Sequence, residues 1–414
     1  MKLILQVIVI IIVLALFSCS NSTKSLNENK IFHIDIDKCE LSIDLKLSDL
    51  IDSCWLVRLE TTIESMLGNY LNHVFIKNEY LLIDDGAGIY KFSADGKFIK
   101  KLINIGRGPD ELSQVRMLYY YEEKDLLFID DYFKNKNYLL CYDIISESFI
   151  PPVKKCFSDR WGDFIIYRDS LIIGSLSPYE AVSNPYAIFI QDFKGNYISS
   201  IQSKRKFIHL QNQNEAFQKM FIYTGDKFIH VKYFLDDTIF TLKNNQLLPY
   251  LISNYNSVQI EPPHMLPEIG DKKSVFKEFE NTSFLIFRNQ TYLGTVQLGF
   301  GNKADYKNVY FFLDKTNSNY GIIKSYTDDF IGHVQEGSGN ELILPSLLPN
   351  NKLYVVYNPI DLISKEFGDQ DKQELPANIY KQFHSIQKKL NETDNPILLI
   401  GTIKKVKRIT DSKF

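Results

Sequence analysis

The chain has 414 residues, 45% hydrophobic and 23% charged, fractions that exclude a disordered or collagen-like polymer. Lys plus Arg number 47 against 50 Asp plus Glu, a formal charge of −3. The strong basic excess of a nucleic-acid binder is missing, and nucleic acid is not expected as a partner. The chain is 14% aromatic, with 29 Phe and 25 Tyr against 2 Trp; together with frequent Ile and Val this leans toward strands.

Met1-Lys2 precede an apolar run over 3–17 that only Gln6 interrupts. A membrane-spanning helix needs about 20 such residues, so the run is short. A cationic start, an apolar core and then small residues read as a secretory signal over 1–18. The run ends Leu16-Phe17-Ser18-Cys19, which resembles the lipobox of bacterial lipoproteins. The resemblance implies that the Cys19 thiol is acylated and that a mature chain of 414 − 18 = 396 residues hangs from a membrane by its lipid. The alternative is a short uncleaved anchor helix with an incidental Cys. Residues 19–50 read as a lipidated tether and lead-in. No later segment has 18 consecutive apolar residues, so the rest is expected in water. Cys39, Cys54, Cys141 and Cys156 form no C-x-x-C pair. Their three pairings as disulfides stay open, and buried free thiols are the favoured reading.

Residues 51–410 read as one domain of short apolar runs separated by turn signals. The first unit runs His73 to Ile76, Tyr80 to Ile83, Ile89 to Phe92 and Phe98 to Leu102, with Asp84-Asp85-Gly86 at its second turn and Asp95-Gly96, a strong tight-turn dipeptide, at its third. The order recurs at Met117 to Tyr121, Leu126 to Ile129, Tyr138 to Asp143 and Phe149 to Val153. Further units fit 164–201, 217–252 and 284–326, and a ragged one fits 331–362. Four strands per roughly 40–50 residues is the signature of a β-propeller. Six blades is the first choice and seven the second; a β-sandwich pair is the alternative. Pro376-Ala377 opens one C-terminal helix with the apolar stripe Ile379, Phe383, Ile386 and Leu390. Trp55 to Leu59 and Ile397 to Ile400 are the expected closing partners. The class is thus all-β, a six-bladed β-propeller with one helix.

Arg58-Leu59-Glu60-Thr61, Phe92-Ser93-Ala94-Asp95-Gly96-Lys97-Phe98, Gly106-Arg107-Gly108-Pro109-Asp110-Glu111, Asp237-Thr238-Ile239 and Asn395-Pro396 follow in this order. The series resembles the six-bladed β-propeller lipoprotein family common in Bacteroides-type bacteria, whose blades are NHL-like. Asp110 stands where that family often has Gly. The resemblance implies a fold and an address in the cell envelope; it carries no catalytic residue.

Antiparallel strands reverse direction, so the loops between strands two and three emerge beside the links between blades. One face should therefore gather Asp84, Asp85, Arg107, Glu111, Arg116, Asp130, Asp131, Tyr132 and Asp237, with Lys134. It should also carry the longest insertions, 202–216 and 253–282. Long loops on one face of a rigid scaffold are where binding usually occurs. The expected function is a lipid-anchored envelope module holding a glycan, peptide or partner protein on that face. The alternative is a lactonase-like hydrolase or lyase with calcium near the axis, since carboxylates are the usual calcium ligands. Each Asp pair can also simply end a strand. Gly106-Arg107-Gly108 lacks the Lys-Ser/Thr ending and following helix of a phosphate loop, and the seven His show no ligand spacing. No resident metal or cofactor is assigned, with calcium the one open option. A monomer is expected, tethered at the outer membrane and facing the periplasm because no acidic run follows Cys19.

Overall fold

The computed structural model describes residues 30–68, 70–108, 111–158, 161–167, 169–176, 186–202, 221–225, 228–232, 238–244, 246–254, 273–278, 284–293, 305–331, 333–336, 344–348, 351–365 and 377–404. Residues 1–18, Cys19, the insertion around 203–216 and Asp237 lie outside these.

Six small antiparallel sheets follow one another along the chain. Blade 1 is His73–Ile76, Tyr80–Asp84, Gly88–Ser93 and Phe98–Asn104. Blade 2 is Met117–Tyr121, Leu126–Asp130, Tyr138–Asp143 and Ser148–Lys154. Blade 3 is Trp161–Tyr167, Leu171–Leu176, Tyr186–Asp192 and Tyr197–Gln202. Blade 4 is Phe221–Gly225, Phe228–Lys232, Thr238–Lys243 and Gln246–Asn254. Blade 5 is Lys273–Glu278, Phe284–Leu293, Asp305–Asp314 and Tyr320–Asp328. Blade 6 takes Ser346–Leu348, Lys352–Tyr357 and Ile397–Ile403 from the C-terminal part, and Ile51–Arg58 from near the N-terminus as its fourth strand.

A blade is apolar on both faces of its inner strands, so it must be covered on both sides. Tyr80–Asp84 is buried along its whole length, whereas the outer strand Phe98–Asn104 is largely open. Each seam between successive blades has its own apolar cluster. Leu82, Tyr80 and Ile89 of blade 1 meet Leu127, Ile129 and Tyr142 of blade 2. Phe128 and Cys141 meet Trp161, Phe164 and Phe189 of blade 3. Ile173 and Ile190 meet Ile229 and Val231 of blade 4, and Ile239 and Leu251 meet Phe311 and Leu313 of blade 5. Tyr310, Phe312 and Tyr326 then meet Leu353 and Leu399 of blade 6. Val57, Leu398 and Ile400 of blade 6 meet Val74, Leu81 and Phe92 of blade 1, which closes the ring.

The closure pairs Ile397 with Arg58, Leu398 with Val57, Leu399 with Leu56 and Ile400 with Trp55, the segments expected to meet. The neighbouring blades interlock at their rims. Gly96, at φ +89°, turns blade 1 so tightly against blade 6 that a Cβ there would lie 2.2 Å from the Arg58 carbonyl oxygen.

Three boundaries differ from expectation. Blade 5 begins at Lys273 rather than 284, so the expected insertion 253–282 contains a strand. That strand, KSVFKE, has only two apolar residues between charged ends and shows little alternation. The ragged unit 331–362 supplies only the first two strands of blade 6, the third following after the helix. The lead-in carries two strands: Phe32–Asp35 lies parallel on the last strand of blade 4 and Ser42–Lys46 parallel on the last strand of blade 5.

The helix Ala377–Gln387 buries Ile379 and Phe383 beside Tyr357 and Leu362, with Ile386 and Leu390 packed on the same cluster. Cys39, Cys54, Cys141 and Cys156 are free thiols. Burial pushes Cys54 up to about 12 and Cys141 up to about 11, so both stay protonated and unreactive near neutral pH. No helix among the described residues is long and apolar enough to cross a membrane.

Candidate functional site

The loop face is built as a continuous arc of hydrogen-bonded segments over blades 6, 1 and 2. The link 59–72 meets the second turn of blade 1: Gly68 N–H donates to Asp85 Oδ2 at 3.0 Å and Asn72 N–H to the Asp84 carbonyl at 2.8 Å. That turn meets the next link, where Ile105 N–H donates to the Ala87 carbonyl at 3.1 Å. This link in turn holds the equivalent loop of blade 2. Ser113 donates from its backbone and hydroxyl to the two oxygens of Asp131, and Lys134 Nζ donates to the carbonyls of Gly108 at 2.8 Å and Glu111 at 2.6 Å. Asp84 and Arg107 thus belong to segments joined in series by these hydrogen bonds.

The carboxylates of this face hold the loops in shape. Asp84, 2% exposed, accepts from Gly86 N–H and faces His73 Nδ1 at 2.8 Å. Asp85 caps the same turn through Ala87 and Gly88 N–H; burial, and next the Asp85 charge, push the Tyr90 hydroxyl up to about 12. Glu111 closes the Gly-Arg-Gly loop by accepting from Gly108 N–H at 2.8 Å. A Cβ on Gly106 would lie 2.2 Å from Glu111 Oε2, so a side chain there would push that carboxylate aside. Asp side chains that bond the backbone two or three residues on are the ordinary makers of such turns.

At the seam of blades 2 and 3 the charges are buried. Lys155 pairs with Asp130, both side chains fully covered, and the ammonium lies 5.1 Å from the Trp161 ring centroid. Burial pulls the Lys155 ammonium below its ordinary range, opposed by the adjacent Asp130. Arg116 donates to the Trp161 carbonyl across the same seam. Tyr132 opens a short helical turn, Tyr132–Asn135. Arg107 is exposed at the tip of its loop, and among the described residues its guanidinium has no hydrogen bond or ion pair.

Among the described residues no three His, Cys, Asp or Glu side chains gather as a metal site requires. Asp84, Asp130 and Glu111 do not converge but serve separate loops. His73, Ser113 and Lys155 were not singled out by sequence reasoning, and Asn395 only within a family motif, yet all four tie these segments together. For Asn395 a signal existed, the Asn-Pro dipeptide; for the others only the fold supplies the partner.

These sheets and loops define the class: a six-bladed β-propeller with a rigidly built loop face. Within that class the chain belongs to the DUF4934 family, a domain of unknown function, whose family model matches residues 31–402. Its fold is similar to that of a protein from Bacteroides fragilis described as exported, with 15% identity, TM-score 0.60, and coverage of 91% of this chain and 100% of that one. A member of the duf4221 family from Bacteroides vulgatus is similar at 11% identity and TM-score 0.47, covering 86% of this chain and 97% of that one. No curated protein matches the sequence.

Proposed function

We propose that this protein is a lipid-anchored component of the cell envelope, tethered through Cys19 at the outer membrane and facing the periplasm, and that its loop face binds a glycan, peptide or partner protein. The observation that carries the binding reading is the hydrogen-bonded arc from 59–72 to 131–135. Internal bonds lock loops from three blades into one surface, and Arg107 is left outward on it. Preorganised loops lose little entropy on binding, which is what a recognition surface needs. The alternative is a calcium-dependent hydrolase or lyase; of its candidate ligands, Asp84 and Glu111 shape loops and Asp130 pairs with Lys155.

A thermal-shift screen of the mature chain against envelope oligosaccharides, peptides and calcium tests the reading, with Arg107→Ala beside the wild type. A ligand whose shift shrinks in the variant supports it. A shift with calcium alone, unchanged by Arg107→Ala, would favour the metal alternative. Radiolabelled palmitate incorporation that persists in Cys19→Ala would contradict the anchor.

A further inference from the structure

Asp84 and Asp130 end the second strands of blades 1 and 2 and stand at equivalent places. Each lies opposite the first residue of its blade's first strand, His73 for Asp84 and Met117 for Asp130. The two carboxylates are met differently. Asp130 takes Lys155, and both of those side chains are fully covered. Asp84, its side chain 1% exposed, takes His73, whose side chain is 35% exposed. A covered Lys is thus enough to seat such a carboxylate, yet blade 1 places an imidazole there and leaves it open to water.

That imidazole is held in one orientation. Asp84 Oδ1 accepts from Gly86 N–H at 2.9 Å, the Asp84 carbonyl accepts from Asn72 N–H at 2.8 Å, and Asp84 Oδ2 lies 2.8 Å from His73 Nδ1. The His73 ring stacks on Phe75, with centroids 6.1 Å apart and planes 7° apart. An ionised carboxylate only accepts, so Nδ1 carries the proton and the lone pair of the neutral ring sits on Nε2. Among the described residues Nε2 has no hydrogen-bond partner, and it is open to solvent. An imidazole lone pair aimed outward by a buried carboxylate is the arrangement that takes a proton from a reacting group.

No Ser, Thr or Cys among the described residues is bonded to Nε2, so the proton it takes is that of a water. The adjacent carboxylates Asp84 and Asp85 repel an anionic substrate, which leaves a neutral one. With water as the nucleophile, an ester is the acyl group in reach, since an alkoxide departs more readily than an amine. Resting on the binding reading above for access to the face, we infer that His73 is the general base of a hydrolytic site for neutral carboxylic esters, with Asp84 as its positioning residue. Nε2 takes a proton from water as the water oxygen bonds to the carbonyl carbon. The carbon–oxygen bond to the alcohol then breaks, and the imidazolium returns the proton to the departing alkoxide. Ester and water give acid and alcohol, and the ring ends as it began.

Release of p-nitrophenol from neutral p-nitrophenyl esters, acetate to octanoate, by the full chain tests this, with His33→Gln at an exposed imidazole as control. Saturable turnover is expected in the wild type and in the control, and it should slow in D2O. General acid–base catalysis contributes about 10²–10⁴-fold, so His73→Gln should lose at least about 100-fold in kcat. His73→Lys keeps a cation on Asp84, as Lys155 does on Asp130, and should melt like the wild type yet be as inactive as His73→Gln. Asp84→Asn should lower kcat and leave KM nearly unchanged. A His73→Lys variant as active as the wild type would give His73 a structural role alone and overturn the inference. Turnover unchanged in His73→Gln, a rate indifferent to D2O, or no turnover above that of the esters in buffer would overturn it too. Each of these leaves the binding reading standing, because that reading is judged by the ligand thermal shift. Rates are compared below the melting temperature of every variant, read by circular dichroism, so lost turnover is not lost fold.

Discussion

The buried pair Asp130–Lys155 permits a quantitative test of how the loop face is held. Both side chains are fully covered, and among the described residues Asp130 Oδ2 has no hydrogen-bond partner, so the pair is only partly satisfied. Lys155→Met removes the ion-pair partner of a buried carboxylate, and breaking a buried pair from one side typically costs about 3–5 kcal/mol. The double change Asp130→Leu with Lys155→Met removes both charges and should come within about 1 kcal/mol of wild type. Urea denaturation followed by tryptophan fluorescence is suited to this, because Trp161 borders the pair. A Lys155→Met penalty below about 1 kcal/mol, the scale of an exposed pair, would refute the reasoning. So would a double variant no better than the single.

Three further outcomes are expected. Asp328 is buried, accepts from the Tyr357 hydroxyl and from Phe330 and Ile331 N–H, and is pushed up to about 6 by burial. Its raised value means that the stability it contributes is present below about pH 4 and is lost as pH rises through 6, a change of about 3 kcal/mol. Urea midpoints at pH 4 and 7 should show Asp328→Asn gaining on the wild type by that amount, and parallel pH profiles would contradict it. Gly96→Ala meets both the left-handed backbone and the Arg58 carbonyl and should lose at least about 2 kcal/mol, read as a lowered melting temperature. Asn395→Ala removes three side-chain bonds to the 59–72 link and should lose about 2–4 kcal/mol. Limited proteolysis should then cut within 60–68 faster than in wild type.

Much of the ring was legible because its signals are local. Asp84-Asp85-Gly86 and Asp95-Gly96 mark turns by chemistry that needs no distant partner. The apolar run Ile397 to Ile400 is recognisable as a strand buried on both faces, and the 4-3-4 spacing of Ile379, Phe383, Ile386 and Leu390 marks the helix side that is buried. What escaped depends on distant partners. Phe32–Asp35 and Ser42–Lys46 are too short to show a period, and each becomes a strand by lying on a sheet more than 200 residues away in the chain. The partners of the candidate carboxylates were not legible: Gly68, Ser113 and Lys155, which engage Asp85, Asp131 and Asp130, meet them only through the fold.

The N-terminal strands have a consequence for the order of assembly. Residues 32–58 touch blade 4, then blade 5, then complete blade 6. Their partner strands are made more than 200 residues later, so this stretch has nothing to rest on until blades 4, 5 and 6 have been synthesised.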